Sequence, residues 1–223
     1  MTQPPRIAID GPSGSGKSTL GRELAQRLSL PYVDTGAMYR AVAWKADRVG
    51  ASVPGGVAAL LRYTRLRVEP DPAEFRIWVD GIDVTDQLRA PRVGRLAAAV
   101  AAIQEVRDWL LPKQRELAKD GAVVEGRDIG TVVLPDADCK FFLDAPESER
   151  TARRAAQLGD RGDDAAADVR ERDRLDRGRR VSPLRPAGDA IHIQTGDQTV
   201  EESLRRMLQS LEEVGIECKH REG

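Results

Sequence analysis

The sequence predicts an α/β fold, a five-stranded parallel sheet with helices on both faces. Three observations predict it. Five short apolar runs recur: "RIAID" at 6–10, "PYVD" at 31–34, "AVVEG" at 122–126, "CKFFLD" at 139–144 and "AIHIQT" at 190–195. Longer helix-like segments lie between most of them, and a glycine-rich turn joins the first run to the first such segment.

The first run leads into "DGPSGSGKST" at 10–19, where Gly11, Gly16, Lys17 and Ser18 fit G-x4-G-K-[ST]. Pro12, Ser13, Gly14 and Ser15 fill the turn, and Thr19 follows it. Glycines allow a tight bend with no side chain between backbone N–H groups and an anion. A helix over 17–29 turns its positive end toward the same point. Lys17 is placed to reach β- and γ-phosphates, and the Ser18 hydroxyl to bind Mg2+. A chance match in an ordinary loop lacks the strand before and the helix after, so the stretch implies nucleoside triphosphate binding.

The second run ends in "DTGAMYR" at 34–40, opening a helix over 36–49. Ligands of open parallel sheets sit at the carboxyl ends of strands, which aims Thr35 and Arg40 at a second anion. The plainer reading, a helix start capped by Asp or Thr, is ordinary for such residues. "TRLRVEPDPAEFRIWVDGIDVTD" at 64–86 alternates apolar and polar residues between "DP" and "DG" turns, which predicts a small antiparallel insert. Further helices are expected over 92–119, 147–158, 163–176 and 198–214. The run at 122–126 is followed by Arg127 and Asp128, charges that an ordinary core strand would not carry. Arg172, Asp176 and Arg179 fall at i, i+4 and i+7, the spacing of one helical face.

Composition narrows the function classes. The 223 residues suffice for one domain, and 35 basic against 36 acidic residues leave a net charge of −1, so bulk charge gives no reason for a nucleic-acid or membrane partner. From Arg150 to Arg185 there are 11 arginines and no lysines, but seven acids are interleaved and no aromatic, unlike a nucleic-acid surface. Cys139 and Cys218 match no metal or redox spacing and read as reduced thiols. "MTQPPRIAID" lacks the features of a secretion signal, and no stretch approaches the roughly 18 apolar residues of a membrane span. A soluble cytoplasmic protein is expected. The chain contains no asparagine, so the N-K-x-D signature of a guanine-specific switch is absent.

"IDGPSGSGKST", "VDTGAMYRA", "VVEGRDIGTVVLPDA" and "RDRLDRGRRVSPLRPAGDAIHI" together resemble the bacterial cytidylate kinase family, in order and in spacing, from residue 6 to about 210. The resemblance implies a P-loop nucleoside monophosphate kinase fold within a single domain, 1–223. Its core would be 1–36, 119–155 and 181–223, its monophosphate-binding part 37–118 with the insert at 64–86, and its mobile lid 156–180. It implies transfer of the γ-phosphoryl of ATP to CMP, and to dCMP, with Mg2+, by a monomer. Arg127 would then contact the monophosphate and Asp128 the base, with Arg107 beside it. A carboxylate suits the cytosine N4 amino donor and an arginine the N3 acceptor. Thr35, Arg40, Arg172, Asp176 and Arg179 would complete the acceptor contacts, and Lys17, Arg127, Arg172 and Arg179 would carry the catalytic charge. Arg150, Arg153 and Arg154 are further lid candidates, and Asp34 a candidate for orienting a metal-bound water.

Two residues depart from the family pattern. Ala98 stands nine before Arg107, where a base-contacting serine is usual, and Glu125 where many relatives have aspartate. A UMP/CMP or other small-acceptor kinase, and a regulatory P-loop protein, stay open as alternatives.

Overall fold

The computed structural model describes residues 3–72, 74–158, 164–179 and 181–217. Strand β1 (Arg6–Asp10) turns through the glycine-rich loop into α1 (Lys17–Leu28), followed by β2 (Tyr32–Asp34) and α2 (Thr35–Val49). A short helix, α3 (Gly55–Leu60), precedes the antiparallel insert of β3 (Leu66–Glu69), β4 (Arg76–Val79) and β5 (Ile82–Asp83). Next come α4 (Pro91–Val100), α5 (Gln104–Leu117), β6 (Ala122–Glu125), one π turn (Ile129–Val133) and β7 (Cys139–Asp144). Then α6 (Glu147–Leu158), α7 (Ala165–Gly178), β8 (Ile191–Gln194) and α8 (Val200–Glu213) complete the order.

The main sheet runs β2-β6-β1-β7-β8, with every neighbouring pair parallel. Central strands covered on both faces must be apolar throughout, and Ile7, Ala8, Ile9, Val123 and Val124 have no exposed surface. Helix α1 meets the sheet through Leu20, Leu24 and Ala25, and α8 through Leu204, Met207 and Leu211, the i, i+4 rows of amphipathic helices. The start of α8 is fixed by a capping box between Thr199 and Glu202.

Register brings the chemistry to one edge. Asp34 pairs with Glu125, Ile9 also with Glu125, and Asp10 with Phe142. Three adjacent strands therefore end in acids at the same rim, the rim from which the glycine-rich loop emerges.

Two expectations need correction. The helix expected over 92–119 is broken: α4 stops at Val100, and Ile103 is extended (φ −82°, ψ 120°) before α5 begins. No Gly or Pro marks that break. It is tertiary in origin, since Ile103 is buried and Arg107 takes the Ala101 carbonyl. Arg179 is the other. It lies one residue beyond α7 with an extended backbone (φ −60°, ψ 133°), so it does not share a helical face with Arg172 and Asp176. The insert is as expected, whereas α3 and the π turn were not foreseen. Of the segment 156–180, residues 159–163 and 180 lie outside the described residues, as does Cys218. Cys139 is a free, buried thiol.

Candidate active site

The glycine-rich loop is shaped by close approaches that only glycine permits. A Cβ on Gly11 would lie 2.1 Å from the Leu143 carbonyl oxygen. Gly14, at φ +79°, would drive a Cβ to 2.9 Å from the Arg150 carbonyl oxygen. Helix α1 starts from Gly16 with no side-chain cap and no acid in its first turn, so its first N–H groups remain available to an anion. Ser13, Gly14, Gly16, Lys17, Ser18 and Thr19 line a cavity of about 470 Å³, with Gly11, Pro12 and Ser15 buried beneath them. Lys17 Nζ bends back onto the Pro12 carbonyl (2.7 Å). Burial and the Arg127 charge pull its ammonium down to about 7, while Glu125, Asp176 and Asp10 oppose that fall.

The opposite wall is assembled from three stretches of chain, with a fourth behind it. At the start of α2, Asp34 caps the helix through Ala37 N (2.8 Å) and holds Arg40 (2.7 Å). Thr35 Oγ1 donates to the Glu125 carbonyl (2.7 Å). Behind the wall, Arg107 of α5 lies outside the cavity lining and reaches the lining residue Asp128 in a buried ion pair. Arg127 turns the other way, its Nε donating to Asp176 Oδ2 of α7 (2.6 Å). Arg127 and Asp128 therefore serve different partners and are not an ion pair with each other. Asp176 also holds Arg179. Burial pushes the Asp176 carboxyl up, but the two guanidiniums outweigh it and hold it below its ordinary value.

Positive charge at this wall exceeds what its acids satisfy. Arg179 Nε is buried without a hydrogen bond, and Arg172 Nε lies 3.1 Å from Asp168 Oδ2 without hydrogen-bond geometry. Burial lowers both guanidiniums from the ordinary arginine value, a cost that an incoming anion would relieve. Arg172 packs closely over Gly94 of α4; a Cβ there would lie 2.8 Å from its Nη2, and the guanidinium would have to shift. Arg40, Arg127, Arg172, Asp176 and Arg179 line the same cavity as Lys17. Ala98 lines it too, on α4, together with Tyr39 and Ala101.

The remaining candidates are differently placed. Arg150 is buried and donates to the Ser13 and Ala145 carbonyls and to both oxygens of Asp173 on α7. Arg153 donates to the Gly14 carbonyl and to Thr195. These two brace the loop, and Arg153 also lines the cavity, as does Arg154, which is paired with Asp168 (2.6 Å). Sequence reasoning passed over Thr195, whose hydroxyl donates to the Ser15 carbonyl (3.0 Å), and Tyr32, whose hydroxyl donates to Glu125 Oε1 (2.5 Å). It also passed over Asp10, although an acid ending an apolar strand directly before Gly11 was visible in "RIAIDG".

Ser18 and Glu125 are the residues that could hold a cation. Ser18 Oγ donates to Glu125 Oε1 (2.7 Å), and Glu125 Oε2 is buried with no partner. Burial and the nearby Asp34 raise the Glu125 carboxyl above its ordinary value.

A glycine-rich backbone cradle at a helix start, facing a wall of buried guanidiniums across one cavity, has the parts of a P-loop phosphotransferase. The profile of the family described as cytidylate kinase matches residues 7–213. A cytidylate kinase of Nocardia farcinica is 47% identical over 205 residues, covering 88% of each chain. One from Desulfitobacterium hafniense is 45% identical over 211 residues, covering 91% of this chain and 90% of that one. The chain belongs to the cytidylate kinase family. A crystal structure of an uncharacterized protein from Eubacterium ventriosum shares the fold, with a TM-score of 0.53 at 15% identity over 92% of this chain and 97% of that one. No described helix is long and apolar enough to cross a membrane.

Proposed function

We propose that this chain transfers the γ-phosphoryl group of ATP to CMP, giving ADP and CDP, and that it accepts dCMP as well. The observation that carries the reading is a shared cavity: Lys17 and the α1 N-terminus on one side, Arg40, Arg127 and Arg172 on the other. An oxygen of the CMP phosphate attacks the γ-phosphorus, and the bond to the β–γ bridging oxygen breaks with its electron pair passing to ADP. The nucleophile is already an anionic phosphate oxygen, so positioning and charge stabilisation do the work in place of a strong general base. Lys17, Arg127, Arg172 and Arg179 surround the transferring group, and closure of α7 over the cavity excludes water.

Asp128 accepts from the cytosine N4 amino group, and Arg107 donates to N3. The buried pair they form supports this, because each holds the other's orientation before the base arrives. Uracil reverses both groups, a mismatch of about 1–3 kcal/mol, roughly one to two powers of ten in kcat/KM. Thr35 and Asp176 serve as hydroxyl and carboxylate contacts for the acceptor nucleotide. Mg2+ fits Ser18 and Glu125, where a hydroxyl meets a buried carboxylate oxygen without a partner. Glu125 suits it better than Asp34, whose oxygens already serve Ala37 N and Arg40. When bound, the ion neutralises charge on the β- and γ-phosphates. We read the chain as a monomer of the cytoplasm.

Steady-state rates with CMP, dCMP, UMP, AMP and shikimate test the proposal. CMP and dCMP should lead by at least about tenfold over UMP. Equal rates for UMP make it a UMP/CMP kinase, and slow ATP hydrolysis indifferent to every acceptor makes it a regulatory P-loop protein.

A further inference from the structure

The last residue of β1, Asp10, is a buried carboxylate to which phosphoryl transfer gives no task. Each of its two oxygens accepts a backbone hydrogen bond. Oδ1 accepts from Ile129 N (2.8 Å) and Oδ2 from Gly130 N (2.8 Å). These amides open the π turn, and the Val132 and Val133 amides close it by donating to the Asp128 carbonyl (2.9 and 3.2 Å). The turn thus begins where Arg127 and Asp128 end, and Asp10 is the residue before Gly11 of the phosphate cradle. One carboxylate ties the two halves of the site together by joining two backbone segments, the end of β1 and the start of the π turn.

An acid is a costly choice here for structure alone. Burial raises the Asp10 carboxyl to about 6, the two amides oppose that, Asp128 adds to it and Lys17 offsets part. Of ordinary side chains this small, only a carboxylate presents acceptors to two parallel amides at once; asparagine must turn an NH2 toward one of them.

We propose that Asp10 is a positioning residue for the acceptor, gripping the Ile129 and Gly130 amides so that Arg127 and Asp128 meet CMP in fixed register with the phosphate cradle. The proposal rests on the reading of Arg127 and Asp128 as acceptor contacts, and its test separates the two. Asp10→Asn keeps the shape and removes one acceptor. Its KM for CMP should rise about tenfold, its CMP-over-UMP ratio of kcat/KM should fall about fivefold, and its KM for ATP should stay within about twofold. A parallel rise in both KM values with the CMP/UMP ratio unchanged would reduce Asp10 to a structural residue and overturn the proposal. Asp128→Asn, measured beside it, tests the base reading: an unchanged CMP/UMP ratio there sinks that reading, and Asp10 is then judged by the split between CMP and ATP KM alone. Should Asp10→Asn not fold, the unaltered protein still decides. The Ile129 and Gly130 amide protons should resist exchange and shift together as Asp10 titrates in NMR spectra, and free exchange or independent shifts would refute the grip.

Discussion

The glycine-rich cradle takes nine consecutive residues, 11–19, whereas the wall we propose for the acceptor draws Arg40, Arg127 and Asp176 from three separate stretches, backed by Arg107 from a fourth. The cradle works largely through backbone N–H groups, whose direction is set by glycine conformations and by α1. The wall works through guanidiniums, each held by an acid of the same chain: Arg40 by Asp34, Arg107 by Asp128, Arg127 and Arg179 by Asp176. A backbone cradle is organised whether or not its ligand is present. The arginines would repel one another without their acids, so the wall's organisation is electrostatic and breaks one carboxylate at a time.

Lys17→Met should show the largest effect, because it removes the cradle's own lysine from a loop that otherwise works largely through backbone N–H groups. A fall in kcat of about 10²–10³-fold is expected, with the melting temperature unchanged or raised, since a cation disfavoured by burial is replaced by an apolar chain. A large loss of stability instead would mean that the cradle, too, depends on side-chain charge.

Asp176→Ala comes next and strikes the wall where one carboxylate serves two guanidiniums. Removing one partner of a buried ion pair typically costs about 3–5 kcal/mol. The lower end is expected, because Arg127 keeps a quarter of its side chain in solvent (25%). The uncompensated guanidiniums should then favour any anion, so inorganic phosphate, which loses no contact with the missing carboxylate, should raise the melting temperature of this variant more than that of the parent. Calorimetric melts with and without phosphate check both statements, and an equal phosphate shift would dissolve the contrast between wall and cradle.

Asp10 joins the two regions and gives a pH signature. Its carboxyl is raised from 3.8 to about 6 on folding, so the folded protein binds a proton more tightly than the unfolded chain. The associated stability is present below about pH 4 and lost as pH rises through 6, amounting to roughly 3 kcal/mol over the window. Asp10→Asn lacks this loss. Relative to its parent, the variant should therefore gain stability from pH 4 to 7 in denaturant titrations, and a flat difference would mean that Asp10 folds as an ordinary ionised carboxylate.

The contrast between the regions also explains what could be read in advance. Residues 11–19 were legible because local spacing alone dictates their geometry, and the five apolar runs because strands buried on both faces leave no other pattern. The ion pairs of the wall join residues far apart in the chain, such as Arg127 with Asp176, and no periodicity encodes such a partner. Asp128 stood out as a charge closing an apolar run, but its role, and Arg107 altogether, came through family resemblance. The break between α4 and α5 was invisible for the same reason: Ala101 and Ile103 are acceptable helix residues, and only burial and the reach of Arg107 stop the helix there. Asp10 was overlooked because its partners are backbone amides, which carry no sequence signal at all.

The smallest expected effect concerns Ala98. It lines the cavity on α4 among Ala97 and Ala101, a small apolar patch in a wall otherwise defined by charge. A serine there adds one hydroxyl without enough bulk to displace its neighbours. One extra hydrogen bond to a correctly placed base contributes about 0.5–1.5 kcal/mol, so Ala98→Ser should lower the KM for CMP by roughly two- to tenfold. Because a hydroxyl both donates and accepts, part of the gain would extend to UMP, and the CMP/UMP ratio should move less than the CMP KM itself. If the KM for CMP does not move while the melting temperature holds, the base does not reach this part of α4, and discrimination falls to Arg107 and Asp128 alone.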